Sequence, residues 1–432
     1  MSINKFYTAL WVLYFSLCLA FYFDLNHINR YFDYSDEFLT LGLVGFTLFE
    51  YKKWWNKEAR SELYFYVLVM LLYLLYAYIA KNNIFEAALL DFQQQVRPYL
   101  ILYCTWLLAP RFTQKQKNWI LWIMAGAYAF FLFRLFSGGI TTVLDQENSP
   151  VIGQMALMSG MAYYILNKKT SKNLWITLGI VTTGLITGKT KFYGEYVVFI
   201  AIFFFLKGKI RHVTSLKRIL QLAILLVAVL YFTWTKFNVY YVEGFEVEKT
   251  EQMMARPATY RVARFILFRD YVPFGSGLGT FATNAVAVHY SPLYYKYGLN
   301  KVWGLEHAHA GFIADAFYPT LAEFGIVGVL LFILFWVRRW RNVKMIMDDR
   351  YYKVALMCMM CLALESVADT SYLSGKGMGY FMLLGICMGT IKYQPKEFDQ
   401  HESDDGRLRK GERGRSGDSH PDPGVAARVE RV

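Results

Sequence analysis

Two histidines and two acids, His307, His309, Asp315 and Glu323, stand in "EHAHAGFIADAFYPTLAEFGIVG" at 306–328, at the doorway of the apolar run "IVGVLLFILFW". At such a water boundary an imidazole or a carboxylate can take a proton from a hydroxyl nucleophile. The same residues include metal-ligand types, with "HAH" beside Glu306 and Asp315, but their spacing matches no strong metal signature. Glu323, one turn inside, has a second reading as a group that satisfies neighbouring helices. A basic set complements the acids. Arg261 and Arg264 precede "PFGSGLGTFAT" (273–283), Lys189 and Lys191 lie in "LITGKTKFYGE", and Arg97 separates "DFQQQ" from Pro98. Fixed cations in a water-poor cleft suit phosphate and stabilise charge that accumulates on a diphosphate leaving group. Lysines at i and i+2 diverge on a helix, yet from a broken or extended turn both reach one diphosphate. Gly275, Gly277 and Gly279 are not spaced as a dinucleotide fingerprint and follow no hydrophobic strand. They read as a turn that orders the loop, or as a backbone cradle for phosphate. Pro98 predicts a re-entrant or interfacial segment around Arg97.

The elements that must hold these side chains follow from composition. Hydrophobic residues make up 56% of the 432-residue chain and charged residues 18%, and the apolar residues come in blocks long enough to cross a bilayer. The chain therefore reads as an all-α polytopic membrane protein. The first block, 6–23, ends in bulky aromatics without a small-x-small cleavage site, and is read as a retained span. Apolar length and turn signals give twelve candidate spans: 6–23, 36–51, 63–80, 94–110, 117–136, 150–166, 173–188, 194–207, 217–236, 319–337, 352–369 and 377–392.

Charge orients them. Alternate connections gather bases, among them Lys52, Lys53, Arg111, Lys168, Lys169, Lys207, Arg211, Arg338, Arg339 and Arg341, and are read as cytoplasmic, which puts both termini inside. Much of the +13 net charge is thus read as an orientation signal and not as a nucleic-acid footprint. Between spans nine and ten lies an outward segment of about eighty residues, 237–318, too long to be a mere connector. Arg256, Arg261, Arg264 and Arg269 in that loop, with Lys189, Lys191, Arg134 and Arg97 in shorter outward connections, are bases where the inside-positive bias would remove them. Gathered on one membrane face, they suit an anionic ligand. The five cysteines all fall in apolar blocks, and Cys358-x-x-Cys361 reads as packed small hydrophobes. Residues 1–392 form one membrane domain. The remainder, 393–432, has a dense charge, Gly and Pro composition expected of a disordered cytoplasmic tail, or of frame-changed or added sequence.

"PTLAEFGIVGVLLF" after an outer loop, "GSGLGTF", and Arg261 followed at the fourth position by Phe265 resemble the O-antigen polymerase and ligase superfamily of bacterial membranes. "ITGKTK" stands where that family often has a Thr-x-Ser-Arg segment. The resemblance covers most of the body and implies a C-type glycosyltransferase architecture in the inner membrane, joining lipid-diphosphate-linked sugars on its outer face. Family ligases place His-Asn about eleven residues before the first glycine of the Gly-x-x-Gly pair; that position is Ala314 here, while His309 lies sixteen before Gly325. "ADAFYP", with Asp315 and Pro319, is closer to a polymerase-like subset. The expectation is a polymerase of undecaprenyl-diphosphate-linked oligosaccharide repeats, with a lipid-linked donor and acceptor, the bilayer and a chain-length regulator as partners. No metal or soluble cofactor is implied. Diphosphate-binding roles go to Arg261, Arg264, Lys189, Lys191 and Arg97, and acid-base roles to Asp315, His309, His307 and Glu323. A ligase that attaches finished glycan would use the same cradle, and a transporter or flippase of lipid-linked sugars remains the alternative of another class, although no inverted repeat is visible.

Overall fold

In the computed structural model of the chain, residues 2–22, 35–144, 149–206 and 238–394 are described, with isolated positions 224, 227, 231 and 234. The expected span at 217–236, the side chain of Arg134 and the tail beyond Gln394 lie outside the described residues. The architecture is all-α, without a β-strand among the described residues; an isolated bridge joins Glu306 and His309.

Twelve helices carry the argument: α1 Ile3–Tyr22, α2 Ser35–Phe49, α3 Lys57–Ala80, α4 Phe85–Leu108, α5 Gln114–Leu144, α6 Ser149–Leu166, α7 Ser171–Thr182, α8 Thr190–Ile200, α9 Ala255–Phe265, α10 Gly325–Lys344, α11 Asp349–Glu365 and α12 Gly375–Gly389. A helix occupies eleven of the twelve segments expected from apolar length. By length and composition, however, α3 alone among the described residues is long and apolar enough to cross a membrane unaided, with shorter apolar stretches at Glu37–Phe49 and Ile152–Leu166. Three of the others are polar or short. Helix α4 carries Glu86, Asp91, three glutamines and Arg97; α7 tightens into a 3-10 turn at Thr183–Thr187; α8 widens into a π turn at Ala201–Phe205.

Helix α3 shows how apolarity is divided. Asn56 caps it by accepting from the Ala59 amide at 3.0 Å, and Lys81 ends it in the left-handed region. Leu63, Tyr66, Met70, Tyr73 and Ala77, three or four residues apart, face the protein, whereas Leu68, Leu72, Leu75 and Ile79 are more than half exposed. A helix apolar on both faces belongs in apolar surroundings. Helix α4 is the hub, packing against α2, α3 and α12, while α11 bridges α12, α8 and α6. It runs unbroken through Pro98, which corrects the expectation of an irregular segment. The proline removes one backbone donor, but Arg97 and Pro98 are buried among neighbouring helices that hold the turn, and Arg97 Nη2 contacts Glu37 Oε1 at 2.6 Å.

The segment between α8 and α10 has its own apolar core, built from Ala258, Val262 and Ile266 around Phe281, Tyr294, Leu299, Val302 and Ile313. It is tied to the bundle through the glycine-rich loop. Tyr76 and Asn82 at the end of α3 donate to the carbonyls of Gly275 and Ser276 at 2.8 Å each, and the Gly277 amide donates to the Glu323 carbonyl at 2.9 Å. Gly275 has φ +82°, and a Cβ there would strike the Gly325 amide and the carbonyls of Ala322 and Glu323. Gly275→Ala is therefore expected to destabilise the protein by about 2 kcal/mol or more, read as a lower melting temperature in detergent. Gly42→Ala and Gly45→Ala, which meet nothing within 4 Å, serve as controls and leave melting unchanged.

Candidate functional site

Helix α9 organises the site. Its hydrophobic face enters the apolar core of the segment between α8 and α10, and Arg256, Tyr260 and Arg264, four residues apart, share another face. Near its C-terminal end a cavity of about 510 Å³ is lined by Phe245, Glu248, Tyr260, Arg261, Arg264 and Phe265, with Thr250. Two guanidiniums against one carboxylate leave this cavity positive, and three aromatic rings give it apolar walls. Arg261 donates through Nη1 and Nη2 to the carbonyls of Glu248 (2.9 Å) and Phe245 (2.8 Å), so it also holds the 245–248 segment in place. Arg264 is exposed, with no ion pair or hydrogen bond among the described residues.

One turn towards the N-terminus, Arg256 meets Asp315, with Nη2 to Oδ2 at 2.7 Å and Nε to the same oxygen at 2.8 Å. Burial raises the Asp315 carboxyl above the ordinary carboxylate value, and the nearby guanidinium only partly offsets this. Asp369 and Lys191 form an ion pair within electrostatic reach of Asp315. Tyr260, which lines the cavity, donates its hydroxyl to the Val367 carbonyl at 2.9 Å, two residues before Asp369. One face of α9 thus connects an arginine-lined cavity with a pair of half-buried aspartates.

The expected site residues divide into four groups. Arg261 and Arg264 share the cavity; Lys191 and Asp315 join the acid cluster. Lys189 caps α8 and is exposed, and His307 and His309 lie on the surface of the segment between α8 and α10, His307 against the Tyr290 ring and His309 Nδ1 at 3.5 Å from Glu306 Oε2. Arg97 is committed to Glu37, and Glu323 works inside the fold: its Oε1 accepts the amides of Thr280 and Phe281 at 2.7 Å each, while Asp91 Oδ2 accepts that of Gly279 at 3.0 Å. The amides that a phosphate cradle would need are therefore occupied by the protein's own carboxylates. Among the described residues no three His, Cys, Asp or Glu side chains converge as metal ligands, and Cys358 and Cys361 are free and buried.

Asp369, Glu195 and Glu365 were not among the candidates, and Arg256 figured only as one of the bases of the long loop. Their signal was available: acids flanking or interrupting apolar helices are costly there and tend to be kept for use. Nothing local, however, says that Asp369 meets Lys191, 178 positions away. No protein-family model matches the sequence, and a comparison with curated proteins finds none similar to it.

Proposed function

We propose that the protein is a multi-pass glycosyltransferase of the bacterial inner membrane, with about twelve spans, both termini in the cytoplasm and residues 237–318 on the outer face. On this reading it polymerises undecaprenyl-diphosphate-linked oligosaccharide repeats into surface polysaccharide. The observation that carries the reading is the positive, aromatic-walled cavity on the helix face that also carries Arg256, the partner of the partly buried Asp315. The apolar residues exposed along α3 and α10, among them Leu68, Leu72, Leu330 and Ile333, support the membrane setting.

The chemistry asks little of the protein beyond electrostatics. Diphosphate leaves readily, so Arg261 and Arg264 need only neutralise the charge that grows as the anomeric C–O bond breaks. The acceptor hydroxyl must lose its proton, and the role of receiving it goes to Asp315, held by Arg256 on the face of α9 that also carries Tyr260 and Arg264, or to Asp369. Asp315→Asn is expected to slow polymer formation by about 100-fold with normal protein abundance; ordinary activity would remove Asp315 from this role. Since the base acts ionised and burial holds its proton longer, activity should rise with pH on the acid side. The decisive experiment is extraction of lipid-linked oligosaccharides from a deletion strain. Single repeats on the carrier are the expected result. Full-length chains left on the carrier would assign a ligase, and repeats retained on the cytoplasmic side would assign a flippase.

A further inference from the structure

Below the Lys191–Asp369 ion pair, Glu195 of α8 and Glu365 at the end of α11 bring their carboxyl groups into hydrogen-bond reach, each residue 2% exposed. A carboxylate only accepts hydrogen bonds, so contact between two carboxyl groups requires a proton between them. Tyr380 of α12 donates to Glu365 Oε1 at 3.2 Å, and the Cys361 thiol lies close by. Glu195 Oε1 and Glu365 Oε2 are buried and accept from no hydroxyl, amide or basic donor among the described residues. Orphaned acceptors in the interior are costly, and a mobile proton is the smallest ligand that satisfies them.

The charged surroundings define a route. Lys191, on the same helix as Glu195, is matched by Asp369 just beyond α11, and these side chains are 19% and 14% exposed. Above them Arg256 and Asp315 reach the outer segment. Arg256, Asp315, Lys191, Asp369, Glu195, Glu365, Cys361 and Tyr380 thus form a descending series from the outer mouth into the bundle.

We propose that Glu195 and Glu365 form a proton-storage site, reached from the outer mouth through Asp369, that takes up the proton released by the acceptor hydroxyl. The source of the proton rests on the polymerase reading; the site itself does not. In the transfer, an acceptor oxygen lone pair forms the new bond to the anomeric carbon, and the electrons of the broken C–O bond leave with the diphosphate. The hydroxyl proton passes to the Asp369 carboxylate and on to the carboxyl pair, whose charge goes from minus one to zero. Return of that proton to outer water by the same route resets the pair.

Infrared difference spectroscopy of the full chain in lipid nanodiscs tests the site without a turnover assay. The wild type should show a protonated-carboxyl band that grows on acidification; Glu195→Gln and Glu365→Gln should each shrink and shift it, and the double variant should abolish it. Persistence of the band in the double variant overturns the proposal. Asp369→Asn should keep the band but slow its exchange with deuterium by about tenfold or more; unchanged exchange overturns the route. Should a glutamine variant fail to fold, Glu195→Asp and Glu365→Asp keep a carboxyl at each place and must retain a shifted band, whose absence counts against the site. Wild-type protein that takes up the proton but makes no polymer from lipid-linked repeats would sink the polymerase reading and leave the proton site standing.

Discussion

Arg264→Ala is expected to reduce polymer formation by about 100-fold or more while the protein accumulates normally in the membrane. Arg264 lines the cavity and is exposed, and no described residue forms an ion pair or hydrogen bond with it. Its removal should therefore take away charge without breaking the fold. Arg261 offers a less clean test, because its guanidinium also secures the carbonyls of Phe245 and Glu248; Arg261→Ala should lose activity and melt earlier. Arg264→Lys keeps the charge but loses the planar fork, so partial activity is expected. The measurement is chain-length distribution on a gel alongside immunoblotted membranes. Long chains in Arg264→Ala at normal abundance would mean that the cavity does not hold the leaving diphosphate.

The largest effect on stability is expected at the other end of α10. Arg339 is fully buried and ion-paired with Glu62 of α3, which is 5% exposed. Tyr103 donates to the same Glu62 oxygen at 3.0 Å, and the guanidinium lies over the rings of Tyr103, Trp106 and Phe335 at 5.1, 4.9 and 5.4 Å. Arg339→Ala takes away the buried partner of the Glu62 carboxylate and leaves it Tyr103 and the longer contact of the partly exposed Arg338, whose Nη1 lies 3.4 Å from Glu62 Oε1; the loss costs about 3 kcal/mol, and the lost cation–π contacts add to it. Replacing both partners with methionine removes the carboxylate as well and should recover most of the loss. Unfolding of the purified variants in mixed micelles measures both. A single variant as stable as the wild type would show that the site contributes packing alone.

Arg339 also marks the boundary of what can be read without coordinates. In sequence it belongs to a basic run with Arg338 and Arg341 and reads as an orientation signal; in the fold it is the fully buried member of that run. Charge clusters are counted along the chain, but burial is decided across it. Glu323 behaves likewise. Its place beside a glycine-rich loop suggested chemistry, yet it anchors that loop, because backbone amides turned inward need an acceptor and a carboxylate from the next segment reaches them.

Apolar length and turn chemistry by themselves determined the helical class, eleven of the described helical segments and the long segment between α8 and α10, since each depends on residues within one or two turns of one another. They also singled out Arg261, Arg264, Lys191 and Asp315 as bases and an acid with reason to be used. Tertiary structure alone decided which of these share a site. The pairings of Arg256 with Asp315, Lys191 with Asp369 and Glu195 with Glu365 join residues 59, 178 and 170 positions apart. No periodicity spans such separations: a charge finds its partner only when packing has brought the two helices together and excluded the water that would otherwise screen them.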